Sequence, residues 1–186
     1  MNEQDLKQYT VSIFTENHIG LLNRITIIFT RRKINILSLT TSGTENKGIY
    51  RFTVLIRTTP DMVKNIVKQM EKQVEVIKSF FYEEDQMIYQ EMALYKIPTS
   101  VFAESKAVEK IVRENNARIL TVEPEFLVIE KTGHEHETED LLEKLRPYGL
   151  LSFARSGRVA IAKPMKKLTN YMSELEQNPY PYHNLN

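Results

Sequence analysis

Residues 9–32 read YTVSIFTENHIGLLNRITIIFTRR, and this stretch decides how the first half of the chain folds. Its first residues alternate in the manner of a β-strand, with Val11 and Ile13 on one face. From Leu21 onward apolar residues recur at helical spacing, and basic residues crowd the end near Arg32, where they suit the helix dipole. The stretch therefore predicts a strand, a short turn and an amphipathic helix.

The turn between them contains Asn17 and Gly20. A helix opened by glycine presents backbone N–H groups and the positive end of its dipole, so it can bind a small anion such as an amino-acid carboxylate. A structural explanation is also open, in which Asn17 only turns the chain and Gly20 only permits tight geometry.

Composition excludes several classes of function. The 186 residues are 41% hydrophobic, enough for one large core or two small ones. Lys and Arg (25) nearly balance Asp and Glu (24), so no broad basic field is available for a nucleic acid. There is no cysteine, which excludes disulfides, thiolate nucleophiles and cysteine-ligated metals and fits a cytoplasmic location. We expect no export signal and no membrane span.

The rest of the first half completes a βαββαβ order. A turn at 45–48 joins two strand patterns, at 35–44 and 49–57. Thr59-Pro60-Asp61 then opens a second helix with a cap, a proline at the first helical position and an early acidic residue. A fourth strand is predicted at 74–82.

After a charged bridge at 83–86 the same plan repeats, without obvious residue identity between the halves. The predicted elements are a strand at 91–97, a helix at 102–115, strands at 118–122 and 126–130, a helix at 137–146 and a strand at 150–155. The sequence therefore predicts an α+β protein of two ferredoxin-like βαββαβ domains.

The predicted boundaries follow from this plan: an N-terminal extension at 1–8, domains at 9–83 and 90–163, a linker at 84–89 and a tail at 164–186. In the tail, an apolar stripe predicts a short helix, and residues 177–186 are expected to lack regular structure. The stripe consists of Met165, Leu168, Met172 and Leu175.

Asn35 opens the second strand, which is an edge in a sheet ordered 4-1-3-2. Two such domains pairing through these edges would bring Asn35 of one chain near the Asn17–Gly20 turn of the other. A ligand bound there would lie between subunits.

These residues resemble a known family. Residues 13–25, IFTENHIGLLNRI, followed by Phe29, Arg32 and the ILSL run at 36–39, are similar to the ACT domain of the acetohydroxyacid synthase (acetolactate synthase) small subunit. In the second half, EMALYKI at 91–97 resembles the family's E-x-x-L-x-K strand, and ARSG at 154–157 its terminal motif.

The resemblance implies that residues 9–83 are an ACT domain and that the chain is a regulatory subunit with no catalytic centre and no cofactor of its own. Such a homodimer, paired through its ACT domains, binds valine or another branched-chain amino acid. It activates and feedback-regulates a large catalytic subunit, to which thiamine diphosphate, Mg²⁺ and FAD belong, in branched-chain amino acid biosynthesis. The runner-up is a free-standing ACT-type sensor that regulates another enzyme or regulator.

Carried over by position, the resemblance implies that the effector is held by two sets of residues from two chains. One chain supplies Asn17, Gly20, Leu21 and Leu22, and the other supplies Asn35 and Ile36. Three neighbours differ from the family pattern: Asn23 replaces a common serine, and His18 and Ile19 replace small or acidic residues. These three differences affect which effector the site is expected to bind.

Rival interpretations have weaker support. His134 and His136 stand among carboxylates, but Glu137 onward is typical of the acidic first turn of a helix, so we expect no metal site. Tyr50 and Phe52 on the third strand partly match an RNA-recognition motif, yet the near-neutral charge argues against nucleic acid. Since no hydrolase, zincin or P-loop motif occurs, we expect no catalytic residues.

Overall fold

The computed structural model describes residues 6–104 and 106–163, and this part of the chain gathers into two compact units. The first unit contains residues 6–88 and 161–163, and the second contains Tyr89–Ala160. The predicted helix and irregular segment of the tail lie outside the described residues. The predicted domain boundaries stay predictions.

The first unit has the predicted βαββαβ order. Its elements are β1 (Lys7–Glu16), α1 (Leu21–Arg31), β2 (Ile36–Gly43), β3 (Ile49–Thr58), α2 (Pro60–Met70) and β4 (Val76–Tyr82). The strands form an antiparallel sheet of order β2-β3-β1-β4, so the prediction that β2 is an edge strand is confirmed.

Local signals account for the helix starts. The hydroxyl of Thr59 caps α2 by accepting a hydrogen bond from the N–H of Met62 at 3.4 Å, and Pro60 takes the first helical position. Helix α1 has no side-chain cap and begins instead at Gly20.

Both helices pack on one face of the sheet. Ile13 of β1, Ile25 and Phe29 of α1 and Ile66 of α2 are completely buried in one cluster. Phe52 of β3, opposite Ile13 in the strand pairing, belongs to the same cluster. The alternation that predicted β1 therefore also decides which of its side chains face the helices.

The second unit repeats the plan, which confirms two ferredoxin-like domains. Its elements are β5 (Met87–Pro98), α3 (Thr99–Glu104), α4 (Lys106–Glu114), β6 (Arg118–Val122), β7 (Phe126–Gly133), α5 (Glu135–Leu145), β8 (Ser152–Arg155) and β9 (Val159–Ala162). The first two residues of β5 and the last two of β9 are counted with the first unit. The sheet order is β6-β7-β5-β8, and β9 also pairs with β5.

Three features differ from the sequence prediction. Strand β9 was missed; it forms because the 12-residue β5 is much longer than the four-residue β8 beside it and leaves room for a second partner. The helix predicted from residue 102 begins at Thr99, whose hydroxyl donates to the carbonyl of Glu123 at 2.7 Å. Helix α5 begins at Glu135, earlier than predicted, because a carboxylate oxygen of Glu137 accepts from the N–H of His134 at 2.7 Å.

The predicted linker carries regular structure. Residues Glu84–Gln86 form a 3-10 turn, and β5 begins directly after it at Met87.

Candidate functional site

The turn that leads into α1 is held by its backbone. Gly20 is the N-cap residue and adopts a left-handed conformation with φ of +83°. The N–H of Leu21 donates to the carbonyl of His18 at 3.3 Å, and the N–H of Arg24 donates to the carbonyl of Gly20 at the same distance. The reason for glycine here is backbone conformation, since an added Cβ would find nothing within 4 Å.

This geometry leaves donors at the helix start. Within the described residues, the N–H groups of Leu22 and Asn23 donate to no protein acceptor. Asn17 does not cap the helix either, because α1 has no side-chain cap. The start of α1 therefore offers two adjacent backbone donors and the positive end of the dipole to an anion.

A surface concavity of about 210 Å³ opens at this helix start. Four of the predicted effector residues line it, namely Asn17, Gly20, Leu21 and Leu22. Leu21 and Leu22 differ in role, since Leu21 is 3% exposed and Leu22 is 47% exposed. These four residues form one wall of the concavity, and their role in binding an effector stays a prediction.

The opposite wall was missed. Thr15, Thr41, Tyr50 and Phe52 line the same concavity, together with Glu16 and His18. The register explains this, because Tyr50 pairs with Thr15 and Thr41 pairs with Phe52. The sequence alone indicates that Tyr50 and Phe52 share one face of β3, because residues alternate between faces along a strand. Only the pairing of β3 with β1 places that face beside Gly20.

Charged side chains at this end of the sheet are paired with each other. His18 lies 3.1 Å from a carboxylate oxygen of Glu16, and both side chains are more than half exposed. Arg24 forms an ion pair with Glu75. The pKa of Glu75 lies below its usual range. The first cause is a hydrogen bond that the backbone N–H of Glu75 donates to its own carboxylate, and the Arg24 guanidinium adds to it. The attraction for an anion therefore comes mainly from the helix start.

Asn35 and Ile36 lie elsewhere in the same chain. Ile36 is opposite Ile56, which pairs with Tyr9 near the start of β1, whereas the concavity adjoins Glu16 at its end. From Tyr9 to Glu16 the chain advances seven residues along β1, a distance of roughly 23 Å. One chain therefore does not bring the two halves of the predicted effector site together.

Two predicted neighbours do not line the concavity. The Ile19 side chain is fully exposed, and Asn23 is exposed on α1. His18, the third, does line it.

The motifs that carry the resemblance in the second half meet in space. Glu91 of β5 is 4% exposed and its carboxylate lies 3.4 Å from Nε of Arg155 on β8. The hydroxyl of Ser156 accepts from the N–H of Met92 at 2.9 Å. Burial raises the pKa of Glu91, and Arg155 opposes that shift. This ion pair joins two strands of the second unit.

The other sequence candidates have structural roles. His134 directly precedes α5, and its ring stacks on that of His136 at 5.8 Å. In residues 6–104 and 106–163, no group of three or more His, Asp or Glu is arranged to hold a metal ion. Phe52 is 6% exposed and belongs to the core, so it is not an exposed platform for a base.

None of the helices in the described part of the chain is both long and apolar enough to cross a membrane.

Comparisons with known proteins cover both units. A family model described as an AHAS small subunit-like ACT domain matches residues 11–78, and one described as the small subunit of acetolactate synthase matches residues 90–164. The acetolactate synthase small subunit of Mycolicibacterium smegmatis is 34% identical over 83% of this chain and 91% of its own length. That of Bacillus subtilis is 31% identical over 82% and 89%, respectively.

A solved structure agrees along nearly its whole length. The acetolactate synthase small subunit of Thermotoga maritima superimposes with a TM-score of 0.78 at 26% identity, covering 86% of this chain and 99% of that one. The chain therefore belongs to the family of acetolactate synthase regulatory small subunits, and its first unit is an ACT domain of that family.

Proposed function

We propose that this chain forms a homodimer through its ACT domains and binds valine, or another branched-chain amino acid, between them. The bound amino acid regulates a separate thiamine-diphosphate-dependent catalytic subunit, which the small subunit also activates. The observation that carries the proposal is that the concavity at the start of α1 extends to Thr41 on the edge strand β2.

Antiparallel pairing of β2 with a second copy explains why the two halves of the effector site lie apart in one chain. In such a pairing, the start of one β2 meets the end of the other. The partner's Asn35 and Ile36 would then lie beside residues 41–43, where this concavity opens. Each dimer would contain two equivalent sites, both built from two chains.

The chemistry of the site suits an α-amino acid. The carboxylate accepts from the N–H groups of Leu22 and Asn23, and carboxamide oxygens of Asn17 and the partner's Asn35 accept from the ammonium group. Leu21 and Phe52 offer an apolar surface for a branched side chain. At about 210 Å³ the concavity is smaller than the ~300 Å³ expected for a drug-sized ligand, which favours one small amino acid.

Regulation requires that the effector bind two states of the assembly unequally. An effector shifts an equilibrium only by its difference in affinity between the states, and a coupling of about 1–3 kcal/mol is ordinary. An amino acid held by two chains has this property whenever the two states differ in how the ACT domains pair.

Two measurements test the proposal. Calorimetric titration of the full chain with L-valine, L-leucine and L-isoleucine should give saturable binding of at least one of them. Mixing with the large catalytic subunit of acetolactate synthase should raise acetolactate production, and the bound amino acid should alter that rise. Binding without any effect on this enzyme would favour a free-standing sensor instead.

Leu37→Asp should weaken the dimer by at least about tenfold. Leu37 lies on β2 and is 47% exposed, so the change should spare the fold of the single chain. In the dimer, the new carboxylate would lie at the paired edge and lose water there, which is unfavourable without a partner. Sedimentation velocity over a concentration series measures the dissociation constant.

Val74→Asp is the matched control, because Val74 is 97% exposed and is not on β2. An unchanged dimer in Leu37→Asp, or equal weakening in Val74→Asp, would contradict pairing through β2.

A further inference from the structure

Both helices of the first unit pack on one face of its sheet, where Val11, Ile13 and Val54 are buried against them. Residues that alternate with these point to the opposite side, which we call the far face. The strand register places them in three rows across β2, β3, β1 and β4. The rows are Ser38, Leu55, Thr10 and Tyr82; Thr40, Thr53, Ser12 and Phe80; and Ser42, Arg51, Phe14 and Lys78.

The centre of the far face is buried, although α1 and α2 lie on the other side of the sheet. Thr10, Ser12, Thr53 and Leu55 are between 1% and 4% exposed. Neighbouring side chains on one face of a sheet stand about 5–7 Å apart, so short ones cannot shield one another from water. Thr53 has only Thr40 and Ser12 beside it on the adjacent strands. Another part of the chain therefore covers the far face.

The tail starts beside this face. The backbone N–H of Lys163 donates to the carbonyl of Gln86 at 2.9 Å, and its Nζ donates to the carbonyl of Asp85 at 2.7 Å. Asp85 and Gln86 follow shortly after β4, which ends at Tyr82 in the first row of the far face. Residues 164–186 therefore continue from a point close to the edge of the far face.

The sequence of the tail suits a position on a sheet. Pro164 can take the first position of a helix, and the apolar stripe of the tail recurs at helical spacing after it. A helix over 164–175 would be about 18 Å long, and the outer strands of a four-stranded sheet are about 14 Å apart. So short a helix is marginal in water by itself and needs an apolar surface to pack against.

The far face provides such a surface. Leu55 lies near its centre, and the ring of Phe80 lies 6.2 Å from the rings of both Phe14 and Tyr82. On a helix over 164–175 the side opposite the stripe carries Lys167, Asn170 and Glu174, which would face water.

We propose that residues 164–175 form an amphipathic helix that packs its apolar stripe on the far face of the first unit. The tail is then an internal partner, and the first unit has helices on both faces of its sheet. The inference does not depend on the proposed effector. The family match ends at residue 164, so the matched domains do not include this segment.

Cysteine labelling tests this, because the chain contains no cysteine of its own. Ser12→Cys places one thiol at the centre of the far face of the full chain, and this thiol should react slowly with Ellman's reagent. Adding either Leu168→Asp or Met172→Asp should speed the reaction by at least about tenfold, since a carboxylate is unfavourable in an apolar contact and would release the tail.

Two matched controls accompany these variants. Asn170→Asp adds the same charge on the opposite side of the predicted helix and should leave the labelling rate of Ser12→Cys within about twofold. Ser79→Cys places a thiol on the other face of the sheet, where Ser79 is 2% exposed and its hydroxyl donates to the carbonyl of Val67 at 3.3 Å. That thiol should stay slow with every tail variant.

Hydrogen exchange gives a second readout, on the tail itself. In the full chain, the backbone amides of residues 166–175 should exchange at least about tenfold more slowly than those of residues 178–186. Leu168→Asp should abolish this difference, and Asn170→Asp should keep it.

Several outcomes would overturn the proposal. Unchanged labelling of Ser12→Cys in both Leu168→Asp and Met172→Asp would mean that a different part of the chain covers the far face. Equal acceleration in Asn170→Asp would contradict the role of the apolar stripe. Acceleration of Ser79→Cys as well would mean that the whole unit opens. Absence of slow amides in residues 166–175 would contradict the packed helix.

Discussion

Gly20→Asp should reduce the affinity for a branched-chain amino acid by at least about 100-fold. An aspartate at the N-cap can accept from the second and third N–H groups of the helix, which here belong to Leu22 and Asn23. Its carboxylate would occupy the donors that the effector needs and repel the effector's own charge. Two lost hydrogen bonds to a charged group correspond to about 3 kcal/mol or more. Calorimetric titration measures the loss.

Two further variants separate this competition from backbone strain. In Gly20→Ala, the alanine must adopt the same left-handed conformation at φ +83° but carries no carboxylate. Nothing lies within 4 Å of the new Cβ, so the change tests backbone strain alone. It should lower stability by about 1–2 kcal/mol and weaken binding much less than Gly20→Asp. Gly149→Asp places an aspartate at a similar φ of +76° in the second unit and should leave affinity unchanged. Full affinity in Gly20→Asp would count decisively against the site.

Arg155→Met should destabilise the second unit by about 2–3 kcal/mol at pH 7, because it leaves the buried Glu91 carboxylate without its ion-pair partner. Glu91 is 4% exposed, whereas Arg155 is 26% exposed and also contacts the more exposed Glu135 and Glu139 at 3.3 and 3.4 Å. The loss should come mainly from Glu91, since its charge is the one that water cannot reach. Urea unfolding measures the free energy of unfolding.

The destabilisation caused by Arg155→Met should depend on pH. Burial raises the pKa of Glu91 in the folded state, so protonated Glu91 favours folding and this contribution is lost as pH rises through the folded pKa. Removal of Arg155 should raise that pKa further, because the guanidinium lowers it. The difference between Arg155→Met and wild type should therefore be smallest near pH 4 and grow to its full size by pH 7. Carboxylates away from Arg155 titrate alike in both proteins and cancel in the difference, and the pairs of Arg155 with the half-exposed Glu135 and Glu139 should contribute little.

Two controls accompany this variant. Arg146→Met removes an arginine whose pair with Glu143 is about 60% exposed on both sides, and it should change stability by less than about 1 kcal/mol. Glu91→Gln in the Arg155→Met background removes the unpaired charge and should recover part of the loss and abolish its pH dependence. A loss independent of pH would contradict the role assigned to Glu91.

Much of the fold could be predicted because its signals are local. Alternation at Val11 and Ile13, helical spacing from Leu21 and the Thr59-Pro60 start each depend on a few neighbouring residues. The βαββαβ order and the edge position of β2 followed from them. Strand β9 could not be predicted this way, because it depends on room beside the long β5.

The candidate site was only half predictable. Asn17, Gly20, Leu21 and Leu22 follow one another along the chain, so the turn and helix start reveal them as a group. Tyr50 and Phe52 are about 30 residues away along the chain and reach the site through the pairing of β1 with β3. A shift of that register by one residue would turn both rings to the other face.

The sequence by itself determined two βαββαβ domains and a glycine-opened helix start, because periodicity, caps and turns act over a few residues. Tertiary structure decided that Thr15 and Phe52 face that helix start, that Asn35 lies at the far end of the sheet, and that Glu91 meets Arg155. Those relations join residues far apart in sequence, and they are fixed by strand register and by the burial of side chains against one another.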